Sequence, residues 1–361
     1  MPFADVINTI LHPPRFHQPV IKDAVLKAEC EDFQVIERPA YQPSGEGEHL
    51  YLWVEKRNVS ADELVSKLAR HLKVSQRDLG VAGLKDRRAV TRQFVSVPRQ
   101  CEDRVSDFAD ERIRILSATP HGNKLRTGHL LGNEFRIVLR STSGNPMTQE
   151  DCDCVSRRLQ KLASDGVPNC FGSQRFGHEG RTAREGIDFL SGAITVKHWK
   201  PQQRRFMTRM VASAAQSAVF NLCLAQRVLE QSFQHPLPGD VVCRRDGARP
   251  FLFDQRGDTP ADVLVPMGPM PGDRMLPATG DVLNLEQQAM ASVGLSPEDF
   301  QRYPKLTQGT RRKYVEFPED SRCELTTDGA LVLTFALSAG TFATVVLAEI
   351  AELAPDVRLE S

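Results

Sequence analysis

Few residues in this 361-residue chain have the type and spacing to do chemistry. The most informative is a carboxylate set among cations, in Gly83-Leu84-Lys85-Asp86-Arg87-Arg88-Ala89-Val90-Thr91. A carboxylate can serve as general base or nucleophile. Read alone, the same segment also describes a solvated turn, with Asp86 in a surface ion pair with Arg87 or Arg88. Metal chemistry has less support. Cys152 and Cys154 are the only close cysteine pair, no C-x-x-C occurs, and the nine histidines show neither H-x-H nor H-x-x-x-H spacing. No metal and no other cofactor is expected. Eight cysteines in a chain of this length are too few for a disulfide scaffold, so free thiols in a reducing compartment are expected.

The elements that must position Asp86 follow from periodicity. Ala28 to Ile36 reads as a strand, followed by a turn-rich loop with Pro39, Pro43, Gly45 and Gly47. Leu50, Leu52 and Val54 alternate with Tyr51, Trp53 and Glu55, the period of a strand. Ser60 and Glu63 form a capping box, opening a helix with the apolar stripe Leu64, Val65, Leu68, Ala69 and Leu72. A short helix from Ser75 leads to the Asp86 segment, and a strand follows through Phe94, Val95 and Val97. Phe135 to Leu139 is a further strand. Helices are expected over Gln149–Ala163, over Thr182–Leu190, and from Pro201 to about Gln231. The proline- and glycine-rich stretch from Pro236 to Pro277 reads as hairpins and connections. Strand signals return from Tyr314. The fold class is mixed α+β, with strand-rich ends flanking a different middle, the pattern of an inserted domain.

Ala330 to Ala348 carries no charge and approaches membrane-spanning length, but Ser338, Ala339 and Gly340 interrupt it. A buried strand over Leu331–Ala336 and a helix over Thr341–Leu353 explain the run better. With no basic segment at the N-terminus, and with Pro13 and Pro14 breaking the first apolar run, a soluble, cytoplasmic protein is expected.

The 46 Lys and Arg balance 46 Asp and Glu, and 40% of the chain is hydrophobic, ordinary for a globular protein of about two domains. The neutral sum gives no global sign of a nucleic-acid partner, but the signs segregate. From Phe189 to Leu229 the only charges are Lys197, Lys200, Arg204, Arg205, Arg209 and Arg227. Arg87–Cys101 and Arg112–Asn133 are likewise acid-free, and Arg311, Arg312 and Lys313 form a further cluster. Such runs can bind a phosphate backbone, or each can be a solvated face.

The Asp86 segment resembles the GxKDxxA motif of the TruD family of pseudouridine synthases, and other segments agree in order. Glu31-Asp32-Phe33-Gln34-Val35 resembles the family's EDF segment. Gly45-Glu46-Gly47-Glu48-His49-Leu50 resembles its GEGEH loop, and Gly132-Asn133-Glu134-Phe135 its GNxF strand. Pro168-Asn169-Cys170-Phe171-Gly172-Ser173-Gln174-Arg175-Phe176-Gly177 resembles NYFGxQRFG. Ala339-Gly340-Thr341-Phe342-Ala343-Thr344 resembles the AGSFAT turn. The matches span Lys27 to about Leu347. One departure is Cys170 in place of the family's tyrosine, which removes a ring and a hydroxyl.

The resemblance implies a tRNA pseudouridine synthase acting on uridine 13. It implies a discontinuous catalytic domain with a central mixed sheet (1–158 and 307–361) and an inserted α+β domain (159–306). Asp86 would be the catalytic carboxylate, attacking C1′ or removing the 2′ proton. Phe135 would stack on the flipped base, with Phe33 and Phe342 as further aromatic walls, although all three also read as core residues. Asn133 would bond the base or hold Asp86. Lys27 would pair with Asp86 and keep it ionised, or be a solvated lysine. Lys85 would meet a phosphate or a structural partner, since in a strand it would point away from Asp86. Arg175 would hold RNA or brace a domain junction, and Arg204 and Arg205 are further RNA-contact candidates. The implied partner is tRNA, with no membrane or metal, and a monomer is the default. One rival is a non-catalytic RNA-binding or RNA-folding protein on the same scaffold. Another is a metal-dependent nuclease, disfavoured by the absence of a clustered set of carboxylates.

Overall fold

The computed structural model describes residues 3–26, 28–247, 249–254 and 260–354. The chain divides into two compact units. One comprises Pro19–Ser164, Phe317–Ala343 and the residues from Ile350 onward. The other comprises the residues up to Gln18, Asp165–Glu316 and Thr344–Glu349. The expected boundary at 158/159 falls inside a helix, Gln149–Asp165.

The first unit is built on a mixed sheet. Its strands run in the order Glu319–Leu325, Leu331–Ser338, Leu130–Arg140, Phe33–Pro39, Val90–Pro98, His49–Arg57 and Ile113–His121. The Phe33 and Val90 strands are parallel, while the other neighbours on this path are antiparallel. The helix Ala61–Leu72 begins at Ser60, whose side chain accepts the Glu63 amide. It buries Leu64, Leu68, Ala69 and Leu72 against Leu50, Leu52, Val54, Val95 and Val97. The helical stripe and the strand alternation therefore meet in one core.

Two expected elements are shorter than the sequence suggests. The strand read from Ala28 begins at Phe33, because Cys30–Asp32 is a 3₁₀ turn in which the Asp32 carboxylate accepts the Glu29 amide at 2.9 Å. The helix read over Thr341–Leu353 spans only Ala343–Ala348. Ala351–Leu353 forms a strand instead, parallel to Ile21–Leu26, with Ala351 opposite Ile21 and Leu353 opposite Ala24. Tertiary strand pairing has overridden the local apolar pattern. The uncharged 330–348 run thus resolves into the Leu331–Ser338 strand and this short helix. Among the described residues no helix is long and apolar enough to cross a membrane.

The second unit centres on the helix Arg204–Leu229, which starts three residues after Pro201 and is buried along most of its length. Beside it lies an antiparallel sheet ordered Phe251–Leu252, Val241–Arg244, Leu264–Met270 and Thr310–Lys313. Asn221 ties this helix to its surroundings. Its amide nitrogen donates to the carbonyls of Ile10 (3.0 Å) and Phe171 (2.8 Å), and its oxygen accepts the Phe171 amide at 2.9 Å. The helix Arg181–Ser191 approaches so closely at Gly186 that a Cβ there would collide with the Val211 carbonyl oxygen. Gly186→Ala is therefore expected to lower stability by roughly 1–3 kcal/mol, the usual cost of overpacking. Urea denaturation reads this as a lower midpoint, and an unchanged midpoint would contradict the close packing.

Candidate active site

Four neighbouring strands carry an apolar inward phase that gives way to polar residues. These phases are Phe33, Val35 and Glu37; Leu50, Leu52, Val54 and Lys56; Thr91, Gln93, Val95 and Val97; and Asn133, Phe135, Ile137 and Leu139. Register brings the polar members together. Lys56 lies opposite Thr91, and Val54 opposite Gln93. Thr91 pairs with Val35. Glu37 lies opposite Asn133, and Val35 opposite Phe135. Paired residues point to the same side of a sheet, so the polar residues form one patch. Thr91 Oγ1, both amide atoms of Gln93 and Asn133 Oδ1 are buried with no hydrogen-bond partner among the described residues. Such atoms are uncommon in folded proteins and here they cluster.

The Asp86 segment is a loop, not a strand, between Gly80–Val81 and Val90–Pro98. It nevertheless separates its two central side chains. Lys85 turns inward and its ammonium meets the Glu37 carboxylate at 2.9 Å, with both side chains almost fully buried. Glu37 also accepts the Phe94 amide at 3.2 Å. Asp86 remains exposed. Its carbonyl accepts from Lys56 Nζ at 2.6 Å, and the same ammonium donates to the Val59 carbonyl at 2.8 Å. The partner of Lys85 in the structure is thus a carboxylate inside the protein.

The aromatic candidates separate. Phe33 and Phe135 are buried edge to face, 6.2 Å between ring centroids, and Phe135 also lies 5.6 Å from Phe335. Phe342 is 47% exposed, in the turn before the Ala343–Ala348 helix. Its turn leaves the sheet just past Ser338, which pairs with Gly132, the neighbour of Asn133. Gly132 is required there, since a Cβ would collide with the Leu337 carbonyl oxygen. The Ala82 carbonyl accepts the Gly128 amide at 2.8 Å, which anchors the Asp86 loop beside the start of the Asn133 strand. Asn133 is half-buried. The Lys27 expectation lies outside the described residues.

The EDF segment serves mainly as scaffold. Asp32 pairs with Arg140 at 3.3 Å, Glu31 pairs with Arg57, and Phe33 turns inward. The NYFG-like segment lies in the other unit. Arg175 donates to Ser217 Oγ at 3.2 Å and to Ser213 Oγ, and its guanidinium lies over the Phe171 ring. It braces its own segment against the Arg204–Leu229 helix. Arg204 donates to the Trp199 carbonyl at 3.2 Å, whereas Arg205 is exposed. Cys170 is buried, and that burial pushes its thiol up to about 12. A reactive role is thereby unsupported.

One basic cluster is not a surface patch. Arg311 forms a buried ion pair with Glu286, and Arg312 lies 4.3 Å from the Phe171 ring centroid and bonds Asn169. These guanidiniums brace the interior. Sequence reading also missed Glu37 and Lys56. Each stands where the next apolar residue of an inward phase should be, and a charge on that phase is a legible signal. Among the described residues, no group of three or more His, Cys, Asp or Glu could hold a metal ion.

Glu37→Gln would strand the Lys85 ammonium without its counter-charge. Breaking one side of a buried pair typically costs about 3–5 kcal/mol, so a large fall in the urea midpoint is expected. Replacing both partners, Glu37→Leu with Lys85→Met, should recover most of it. A Glu37→Gln protein as stable as wild type would show that the pair does not hold the loop.

The family model for tRNA pseudouridine synthase D (TruD) matches residues 21–194 and 202–350. The tRNA pseudouridine synthase D of Anaeromyxobacter sp. (strain Fw109-5) is 38% identical over 329 residues, 90% of this chain and 91% of that protein. A protein of the same name from Thermus thermophilus is 35% identical, with 90% and 88% covered. The one from Pseudomonas entomophila is 34% identical over 370 residues, with 96% and 97% covered. A crystal structure from Methanosarcina mazei, described as a putative tRNA pseudouridine synthase D, shares the fold. Its TM-score is 0.71 at 23% identity, covering 97% of this chain and 98% of its own. With motif segments, fold and matched length all in agreement, this chain belongs to the TruD family of tRNA pseudouridine synthases.

Proposed function

We propose that this tRNA pseudouridine synthase uses Asp86 as its catalytic carboxylate, acting on uridine 13. The reaction breaks the N1–C1′ bond, turns the base and rejoins it to C1′ through C5, with the C5 proton ending on N1. Atoms and electrons balance within the nucleotide, so no redox partner or energy source is consumed. What the protein must supply is an ionised carboxylate at the ribose, to attack C1′ or to remove the 2′ proton. The observation that carries this reading is the Asp86 loop. Asp86 is exposed while the residue before it is anchored to Glu37 and its own carbonyl to Lys56. A fixed main chain carrying a solvent-facing acid is the arrangement proximity catalysis requires.

Taking the base out of its stack costs a few kcal/mol, and an aromatic surface returns roughly 1–3 kcal/mol per stacked base. In this reading Phe342 is the ring open to a base, Asn133 supplies a polar contact, and Phe33 and Phe135 form the apolar wall behind them. The discontinuous domain from the chain ends carries the chemistry and the inserted domain carries RNA contacts. The enzyme works as a metal-free monomer in the cytoplasm.

The RNA-contact side rests on charge placement. Arg204, Arg205 and Arg209 fall in the first two turns of a 26-residue helix, the end whose dipole disfavours cations. Arg205, Arg209, Lys197 and Lys200 are exposed, and Phe206 beside them is 67% exposed. Cations held against a dipole next to a bare ring suit a phosphate backbone with stackable bases.

Asp86→Ala should abolish pseudouridine formation in a tRNA transcript while binding persists. Surviving modification would remove Asp86 from the role. Activity should also persist in excess chelator, and a strict metal requirement would overturn the carboxylate mechanism. Arg205→Glu with Arg209→Glu should weaken tRNA binding without changing the urea midpoint. It should also flatten the dependence of log Kd on log salt by roughly 1 per lost phosphate contact. An unchanged slope would make this a solvated face.

A further inference from the structure

We propose that Lys56 is a positioning residue that holds the main chain at Asp86 and places a positive charge behind its carboxylate. The inference rests on the reading of Asp86 as the catalytic acid.

Lys56 occupies the inward phase of its strand, after Leu50, Leu52 and Val54, and is 0% exposed. Among the described residues its two hydrogen-bond partners are uncharged: the Val59 carbonyl at 2.8 Å and the Asp86 carbonyl at 2.6 Å. Burying an ammonium against carbonyls alone is unfavourable compared with a methionine of similar length. A fold that needed only packing or two capped carbonyls has no use for the charge. The Val59 bond fixes the ammonium from the strand side, so the Asp86 bond holds the loop rather than the lysine.

Three charged or titratable groups act on Lys56 among the described residues. Asp86 and, after it, Cys30 favour its charged form, and Lys85 opposes it. Lys85 is itself matched by Glu37, so the charge of Lys56 is directed at Asp86. Burial lowers the ammonium to about 8, while burial raises the Cys30 thiol above its usual range. Below about pH 8 the cation is present behind the Asp86 loop; above it, that charge is withdrawn.

The test uses full-length protein with Lys56→Met, Lys56→Gln and Asp86→Ala, under single-turnover conditions on a tRNA transcript carrying uridine 13. Lys56→Met should slow the chemical step at least a hundredfold and leave the Kd for tRNA within threefold. Lys56→Gln, which keeps a donor but no charge, should fall between Met and wild type. The wild-type rate should decline as pH rises through about 8, and this limb should vanish in the Met and Gln variants. If Lys56→Met did not fold, Lys56→Gln would carry both comparisons. A wild-type rate in either variant would overturn the proposal. So would a slow variant that kept the wild-type alkaline limb, since that would make Lys56 a packing residue. Activity in Asp86→Ala would instead sink the underlying reading. An inactive Asp86→Ala beside a fully active Lys56→Met would sink this inference alone.

Discussion

The buried pair of Lys85 and Glu37 is the constraint on which the candidate active site depends. Two charges 2.9 Å apart with almost no solvent contact each make the other tolerable, because an isolated charge in that environment is strongly disfavoured. The consequence for geometry is direct. The lysine is drawn into the sheet while the next residue, Asp86, stays exposed. Without the pair, the Gly83–Ala89 segment would be an ordinary polar loop with little reason to present its acid in one direction.

The residues that carry the family likeness fall into two physical kinds. Asp86 and Phe342 are exposed and Asn133 is half-buried, so these three reach toward the surface. Asp32, Gly132, Asn169 and Arg175 hold backbone: a cap on the Glu29 amide, a strand contact too close for a side chain, and the packing of one segment onto a buried helix. Scaffold of this kind leaves as clear a mark on the sequence as chemistry does, since a missing cap or an added Cβ disturbs the site as surely as a missing acid.

The neutral total charge conceals a division between charges that brace and charges that face water. Arg227 with Asp240 and Arg311 with Glu286 are matched pairs inside one unit. Lys197, Lys200, Arg205 and Arg209 are exposed. Counting signs along the chain finds both groups and cannot tell them apart, because what separates them is burial by residues far away in sequence.

Much was legible in the sequence alone. Period-two and period-3.6 patterns, the Ser60 cap and the ordered motifs determined the α+β class and the family and singled out Asp86, because each is a local or ordered property of the chain. The apolar phases of Phe33–Val35–Glu37 and Leu50–Leu52–Val54–Lys56 even contained the two buried charges that were overlooked. Tertiary structure alone decided the rest. It truncated the helix after Ala348, because the Ile21 strand offered Ala351–Leu353 a partner. It enclosed Phe33 and Phe135 while leaving Phe342 open, and it brought Lys56 beneath Asp86 across 30 residues. Those outcomes depend on which strand lies beside which, and desolvation, which gives a buried charge its force, exists only once the strands have met.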